Sequence, residues 1–209
     1  NHWYPGVWRD PQRRRRSLAS EEACQREQIT RQTFAQQFKG FAKFQRFRDG
    51  PPLKMLPTEF QHLVLSEADS YIAFVKADAD GMGRLLMRLD WDKLADQLSK
   101  EPWKASFEFC SAVDQCLKEA VREAVDRVTA SWDPASGRRF PVVPMVLAGE
   151  DIWILCRRDL AFELAVSMMD KYAELAANNE TLQKALEVTG LLGKEELTLS
   201  CGVLFAKQG

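Results

Sequence analysis

The sequence predicts an α+β fold: an antiparallel sheet with its helices on one face, preceded by a helical extension. Three observations predict it. Tyr71–Lys76 is an apolar, strand-like run that breaks into Asp78-Ala79-Asp80-Gly81-Met82-Gly83. Val142–Leu147 and Ile152–Cys156 are two further runs of that kind, joined by the short acidic turn Ala148-Gly149-Glu150-Asp151. Between and after them the apolar residues recur at helical spacing, and a last strand-like run follows at Thr198–Ala206.

Length and composition set the frame. A chain of 209 residues holds one or two domains. Its 45% apolar and 28% charged content is ordinary for a soluble globular chain. No run of 18 apolar residues exists, so no membrane-spanning helix is expected. The start, Asn1-His2-Trp3-Tyr4-Pro5, has neither a Met nor a signal-peptide pattern, and reads as a fragment or processed piece of a cytoplasmic protein. The five cysteines, Cys24, Cys110, Cys116, Cys156 and Cys201, form no C-x-x-C pair and read as buried reduced thiols. With only His2 and His62, histidine-based metal or triad chemistry is disfavoured.

The elements follow in order. Residues 1–50 form a basic arm and helix, with 11 Lys/Arg against 5 Asp/Glu and the run Arg13–Arg16. Such an arm suits RNA, DNA or an acidic protein partner, or is a solvated linker. Ser20 is placed to cap a helix opening on Glu21 and Glu22 and carrying Phe34, Phe38, Phe41 and Phe44 on one face. Asp49-Gly50-Pro51-Pro52 ends it. Residues 51–70 are a connector with a short helix expected from Thr58 to Leu65, and 71–209 form the main domain. After the first strand comes a helix with Leu85, Leu86, Leu89, Leu94 and Leu98, broken near Asp90. A long helix over 105–131 presents Cys110, Val113, Leu117, Val121 and Val128. Beyond the hairpin, Asp159 is placed to cap a helix carrying Leu164, Met168, Tyr172 and Leu175. Asn178-Asn179 interrupts it, and a short helix spans 181–192. The order β-α-α-β-β-α-(α)-β is that of a ferredoxin-like fold built on a split β-α-β unit.

Chemistry gathers at two places. In this topology the first strand and the central hairpin are neighbours, so Asp78 is expected beside Glu150 and Asp151. Paired carboxylates at strand ends are how hard cations such as Mg²⁺ or Mn²⁺ are held near nucleotide phosphates. Asp80 points the same way only if the strand continues past it. Gly81 and Gly83 clear side chains where a helix begins, so a triphosphate can approach backbone N–H groups, and Arg84 is placed to add a phosphate contact. Gly149 supplies a permissive backbone at the hairpin tip. An Asp cap with turn glycines, and a solvated acidic turn, are the plainer readings of the two segments taken singly.

With those residues in view, 71–206 resembles the nucleotidyl-cyclase palm shared by GGDEF diguanylate cyclases and the large polymerase-like subunit of type III CRISPR effector complexes. Lys76-Ala77-Asp78-Ala79-Asp80-Gly81-Met82-Gly83 is similar to the first acidic motif of the CRISPR subunit. Leu147-Ala148-Gly149-Glu150-Asp151-Ile152 is similar to its Gly-Gly-Asp-Asp hairpin. Thr198-Leu199-Ser200-Cys201-Gly202 resembles its Ser-x-Gly strand. Two departures stand out: Ala148 replaces the first hairpin Gly, and Glu150 replaces an Asp. The guanine-reading pattern of diguanylate cyclases falls on Met82, Gly83, Leu86 and Met87, which lack its Asn and Lys. The CRISPR-type palm is therefore the closer resemblance.

What the resemblance implies is a nucleotidyltransferase that makes cyclic oligoadenylate from ATP in antiviral defence. It implies metal ligation by Asp78, the Ala79 carbonyl, Glu150 and Asp151. It implies nucleotide contacts at Gly81, Gly83, Arg84, Ala148, Gly149 and Ser200. Chain growth requires a second palm, in a longer chain or a homodimer, and palms of this family continue beyond the Ser-x-Gly strand, so a truncated C-terminus is expected. The alternatives are a catalytically inactive palm, serving as a nucleotide sensor or as a scaffold in a ribonucleoprotein complex, and a diguanylate cyclase.

Overall fold

A computed structural model describes residues 55–66, 68–148 and 151–207, and of Ala148 the backbone alone. They belong to the second of the chain's two units, Lys54–Gly209. The basic arm, the helix expected after Ser20 and its phenylalanine stripe lie outside the described residues. So do Gly149 and Glu150.

The fold is α+β, with four strands and five α-helices among the described residues. They run β1 (Tyr71–Ala79), α1 (Met82–Arg88), α2 (Trp91–Leu98), α3 (Pro102–Val128), β2 (Val142–Ala148), β3 (Asp151–Arg157), α4 (Ala161–Asn178), α5 (Glu180–Val188) and β4 (Leu199–Lys207). The sheet order is β2-β3-β1-β4 and every pairing is antiparallel. This order is compatible with a ferredoxin-like fold. β1 and β3 occupy the centre, so any group at the end of β1 meets the β2–β3 hairpin on one side and β4 on the other.

Alternation along the central strands separates two faces. Ala73, Val75 and Ala77 of β1 and Ile152, Ile154 and Cys156 of β3 are buried on the face that takes the helices. The Cys201 thiol lies 3.9 Å from the Ala165 carbonyl, and the Phe162 and Phe205 rings meet at 5.6 Å, which places α4 against β4 on that face. Small β1 side chains leave room for the α3–α4 layer, whose seam includes Phe109, Leu117, Val121, Leu164, Met168 and Tyr172, all buried. The opposite face carries Phe74, Lys76 and Asp78 of β1, Asp151 and Trp153 of β3, and Ser200, Gly202 and Leu204 of β4, all exposed. Lower on that face Ile72 and Leu155 are buried.

Several elements differ from their sequence reading, each for a local reason. β1 runs to Ala79, beyond Lys76, because ladder pairing continues on both sides: Asp78 faces Asp151 and Ser200, and Ala79 faces Leu199. The long helix begins at Pro102, where a missing N–H costs nothing, and ends at Val128. Its buried stripe passes through Phe109, so Cys110, a step of about 100° away, is exposed. Among the described residues of the connector, the expected helix is a 3₁₀ turn at Phe60–Leu63. Asp159 does not cap α4; its carboxylate accepts two hydrogen bonds from Arg157, at 2.6 and 2.7 Å. Asp90 breaks the first helical stretch as expected and caps α2 by accepting from the Lys93 N–H at 3.2 Å. Asn179 ends α4 and caps α5 through the Leu182 N–H at 3.1 Å. Pro144 sits on β2, an edge strand, beside a register shift before Val146, where a missing ladder donor is tolerated.

Candidate functional site

The end of β1 assembles the candidate site. Asp78 is the cross-strand partner of Asp151 on β3 and of Ser200 on β4. Directly opposed residues in an antiparallel ladder project to the same face, with Cα atoms about 5 Å apart. Asp151, Asp78 and Ser200 therefore form one rung on the open face. The sequence expectation that Asp78 stands beside a hairpin carboxylate holds for Asp151. Ala148 pairs with Asp151, so Gly149 and Glu150, outside the described residues, are the only residues between β2 and β3.

The next rung is Trp153, Lys76 and Gly202. The Lys76 ammonium lies 4.0 Å from Asp151 Oδ1 and 5.4 Å from the centre of the Trp153 ring. It thus spans the two rungs, one end of its reach on a carboxylate and the other on an aromatic face.

Asp80 still faces the same side as Asp78. Its N–H donates to the Thr198 carbonyl at 2.9 Å, which extends the ladder one step beyond Ala79. Its carboxylate accepts from the Thr198 hydroxyl at 2.8 Å and from the Ser200 hydroxyl at 2.6 Å. Asp80 is therefore committed to tying the end of β1 to the start of β4. Ser200, by donating to a carboxylate that only accepts, turns its lone pairs toward whatever approaches the open face.

The turn into α1 is built on Gly81, whose φ of +73° is a left-handed conformation that a side chain strains. A Cβ there would lie 3.6 Å from Glu195 Oε2, an ordinary contact, so the backbone angle and not crowding selects glycine. At Gly83 an added Cβ would meet nothing within 4 Å. Arg84, expected to be a phosphate contact, pairs with Glu195 at 3.3 Å. Ala79, expected to offer its carbonyl, is the last residue of β1, with its side chain buried.

The donor set decides whether a metal fits. Among the described residues no three His, Cys, Asp or Glu side chains gather as a metal cage. Asp78 and Asp151 supply two hard oxygen donors on an open face. Mg²⁺ takes one or two carboxylates, keeps several waters and draws its remaining ligands from phosphate, so a two-carboxylate rung fits it. Soft-metal or thiolate chemistry does not fit. Burial, with the Asp80 charge adding to it, pushes the Cys201 thiol up to about 11, and burial pushes Cys156 up to about 12, so both stay protonated at neutral pH.

Sequence reasoning passed over Lys76, Trp153 and Thr198. The signal was present: counting back two from Asp78 and forward two from Asp151 along period-two strands reaches Lys76 and Trp153 on the carboxylate face. Among the described residues no helix is long and apolar enough to cross a membrane. In comparisons with known proteins, no family model and no curated protein matches this chain.

Proposed function

We propose that this chain is a nucleotidyltransferase-like palm that binds ATP with Mg²⁺ or Mn²⁺, its chemistry being 3′–5′ phosphodiester formation toward cyclic oligoadenylate in CRISPR-type antiviral defence. The observation that supports this reading is the cross-strand pair Asp78–Asp151, on the open face at the end of a central strand and beside the β2–β3 hairpin. Asp78, Asp151 and Glu150, with the Ala79 carbonyl, would hold the cations. Such cations, when bound, neutralise phosphate charge and make a hydroxyl a better nucleophile.

The chain's own groups divide the remaining work. Ser200 offers an acceptor to the ligand, so it suits a ribose hydroxyl or a base amine better than a phosphate oxygen. Arg84 must leave Glu195 to reach a phosphate, and that partly exposed pair is weak enough to exchange. Leu86 and Met87 are exposed and carry no group able to read guanine, so selection of guanine by that route is closed. A second reading, an inactive palm acting as a nucleotide sensor or scaffold, is favoured because, among the described residues, no three carboxylates gather to hold a metal, the Asp80 carboxylate being taken up by Thr198 and Ser200.

Calorimetry of the chain with Mn²⁺ and each nucleotide tests both. ATP is expected to bind more tightly than GTP, and Asp78→Asn to weaken Mn²⁺ and nucleotide binding together by about tenfold or more, the loss that follows when a charged partner is removed. Tighter binding of GTP would turn the assignment to a diguanylate-type cyclase. Binding of neither would leave the scaffold. Incubation with ATP and Mn²⁺ then separates a sensor from an enzyme by the appearance of oligoadenylate. Ala148→Gly is expected to raise turnover where a second palm supplies the acceptor nucleotide.

A further inference from the structure

We infer that Trp153 and Lys76 form the base- and phosphate-contacting half of this site: the nucleobase stacks on Trp153, and Lys76 moves from Asp151 to a phosphate when a metal-bound nucleoside triphosphate arrives. The inference rests on the nucleotide reading above and deepens it.

Trp153 is 45% exposed on a central strand, on the carboxylate face. A large exposed ring on a sheet is a platform on which a base stacks, and every base has a π-face to offer. Trp153 lies two residues from Asp151 along β3, about 7 Å. That is the separation a nucleotide spans between its phosphates and its base. Room exists above the adjacent position on β4: a Cβ added at Gly202 would meet nothing within 4 Å. Phe74 and Leu204, partners on the following rung and both exposed, give that area an apolar floor.

Charge selects the same occupant. Without metal, the Lys76 ammonium provides the positive charge beside Asp151, 4.0 Å away, and stands over the Trp153 ring. A divalent cation on the Asp78–Asp151 rung repels that ammonium. The nearest anion left for Lys76 is then a phosphate of the incoming nucleotide, and its departure uncovers the ring. A metal–nucleotide complex presents a cation, an anion and a π-surface together. The face presents two carboxylates, one ammonium and one indole in adjacent rungs. A bare single strand would instead set its phosphates against Asp78 and Asp151 with no cation between them.

Calorimetry of the whole chain with Mn²⁺ and ATP, GTP or inorganic tripolyphosphate tests this. Trp153→Leu is expected to weaken ATP and GTP alike, by about tenfold, and to leave tripolyphosphate unchanged, since stacking concerns the base alone. Trp153→Phe should recover much of the loss, and both variants should melt at the wild-type temperature, the ring being exposed. Lys76→Met is expected to tighten Mn²⁺ alone by roughly a few-fold, the size of an exposed ion pair, and to weaken tripolyphosphate. If the wild type binds neither ATP nor tripolyphosphate with Mn²⁺, the nucleotide reading fails and this inference with it. If the wild type binds both and Trp153→Leu weakens them equally or not at all, the nucleotide reading stands and this inference is overturned. Binding of a short oligoadenylate in EDTA that is lost in Trp153→Leu would also overturn it, by assigning the ring to a nucleic-acid strand.

Discussion

At the scale of single residues, Asp126 shows how burial and charge compete. It sits half-buried on α3, and its Oδ1 is buried without a hydrogen-bond partner. Burial pushes its carboxyl up from 3.8 to about 6; the Arg122 charge opposes this and Glu123 adds to it. A folded-state value above the unfolded one means the folded protein favours the protonated form. The associated stability is fully present below pH 3.8 and is lost as pH rises through about 6. At neutral pH the ionised carboxylate is therefore a burden. A shift of that size has a ceiling of about 3 kcal/mol, and solvent screening of a half-buried group reduces it to on the order of 1 kcal/mol. Asp126→Asn is expected to leave the melting temperature near wild type at pH 4 and to raise it by about 2–4 °C at pH 7.5. A melting series across that range checks it; an equal shift at both pH values would show that the charge is not the cause. Asp78 and Asp151 lie on the open face instead, where water and a cation can reach them.

At the scale of elements, what was legible followed from period and capping. The four strands, the break at Asp90 and the interruption at Asn178-Asn179 could be read because alternation and Asp or Asn caps are local signals. The end of β1 was less legible. Asp80-Gly81 looks like a turn in one dimension, and only pairing with β4 carries the ladder one step further. Asp159 looks like a cap but has a nearer cation in Arg157. No pattern within one strand announces the Lys76–Trp153 contact, because its two halves lie far apart in sequence. The Asp80 tie makes this junction testable. Asp80→Ala leaves the Thr198 and Ser200 hydroxyls without their carboxylate. Hydrogen bonds to a charged group contribute about 1.5–3 kcal/mol each, and partial exposure lets water replace some of that. A net loss of about 1–2 kcal/mol is expected, seen as a lower denaturant midpoint with an unchanged slope. Amide exchange should rise first at the start of β4 and the end of β1. Uniform loss of protection across the sheet would mean that Asp80 supports the whole core and not this junction.

At the scale of the whole molecule, charge is divided along the chain. The net charge of −1 combines a basic first 50 residues, 11 Lys/Arg against 5 Asp/Glu, with an acidic remainder, 18 against 25. The acidic remainder includes the carboxylates of the open face, which repel nucleic acid unless a cation intervenes. The basic arm, outside the described residues, has the opposite preference, concentrated in Arg13–Arg16. On the proposed function, the arm would hold a polyanion while the sheet face binds a metal-bound nucleotide. Polyanion binding through the arm releases counterions, so the logarithm of affinity should fall linearly with the logarithm of salt concentration. For single-stranded RNA each neutralised phosphate contributes about 0.7 to that slope. Replacing Arg13–Arg16 with alanine should therefore flatten it by up to about 3, while Mn²⁺-dependent nucleotide binding at the Asp78–Asp151 rung stays as in the wild type. Fluorescence anisotropy of a labelled RNA across a salt series measures the first, and calorimetry the second. An affinity indifferent to salt, or no RNA binding at all, would make the arm a solvated linker or the seat of an acidic protein partner.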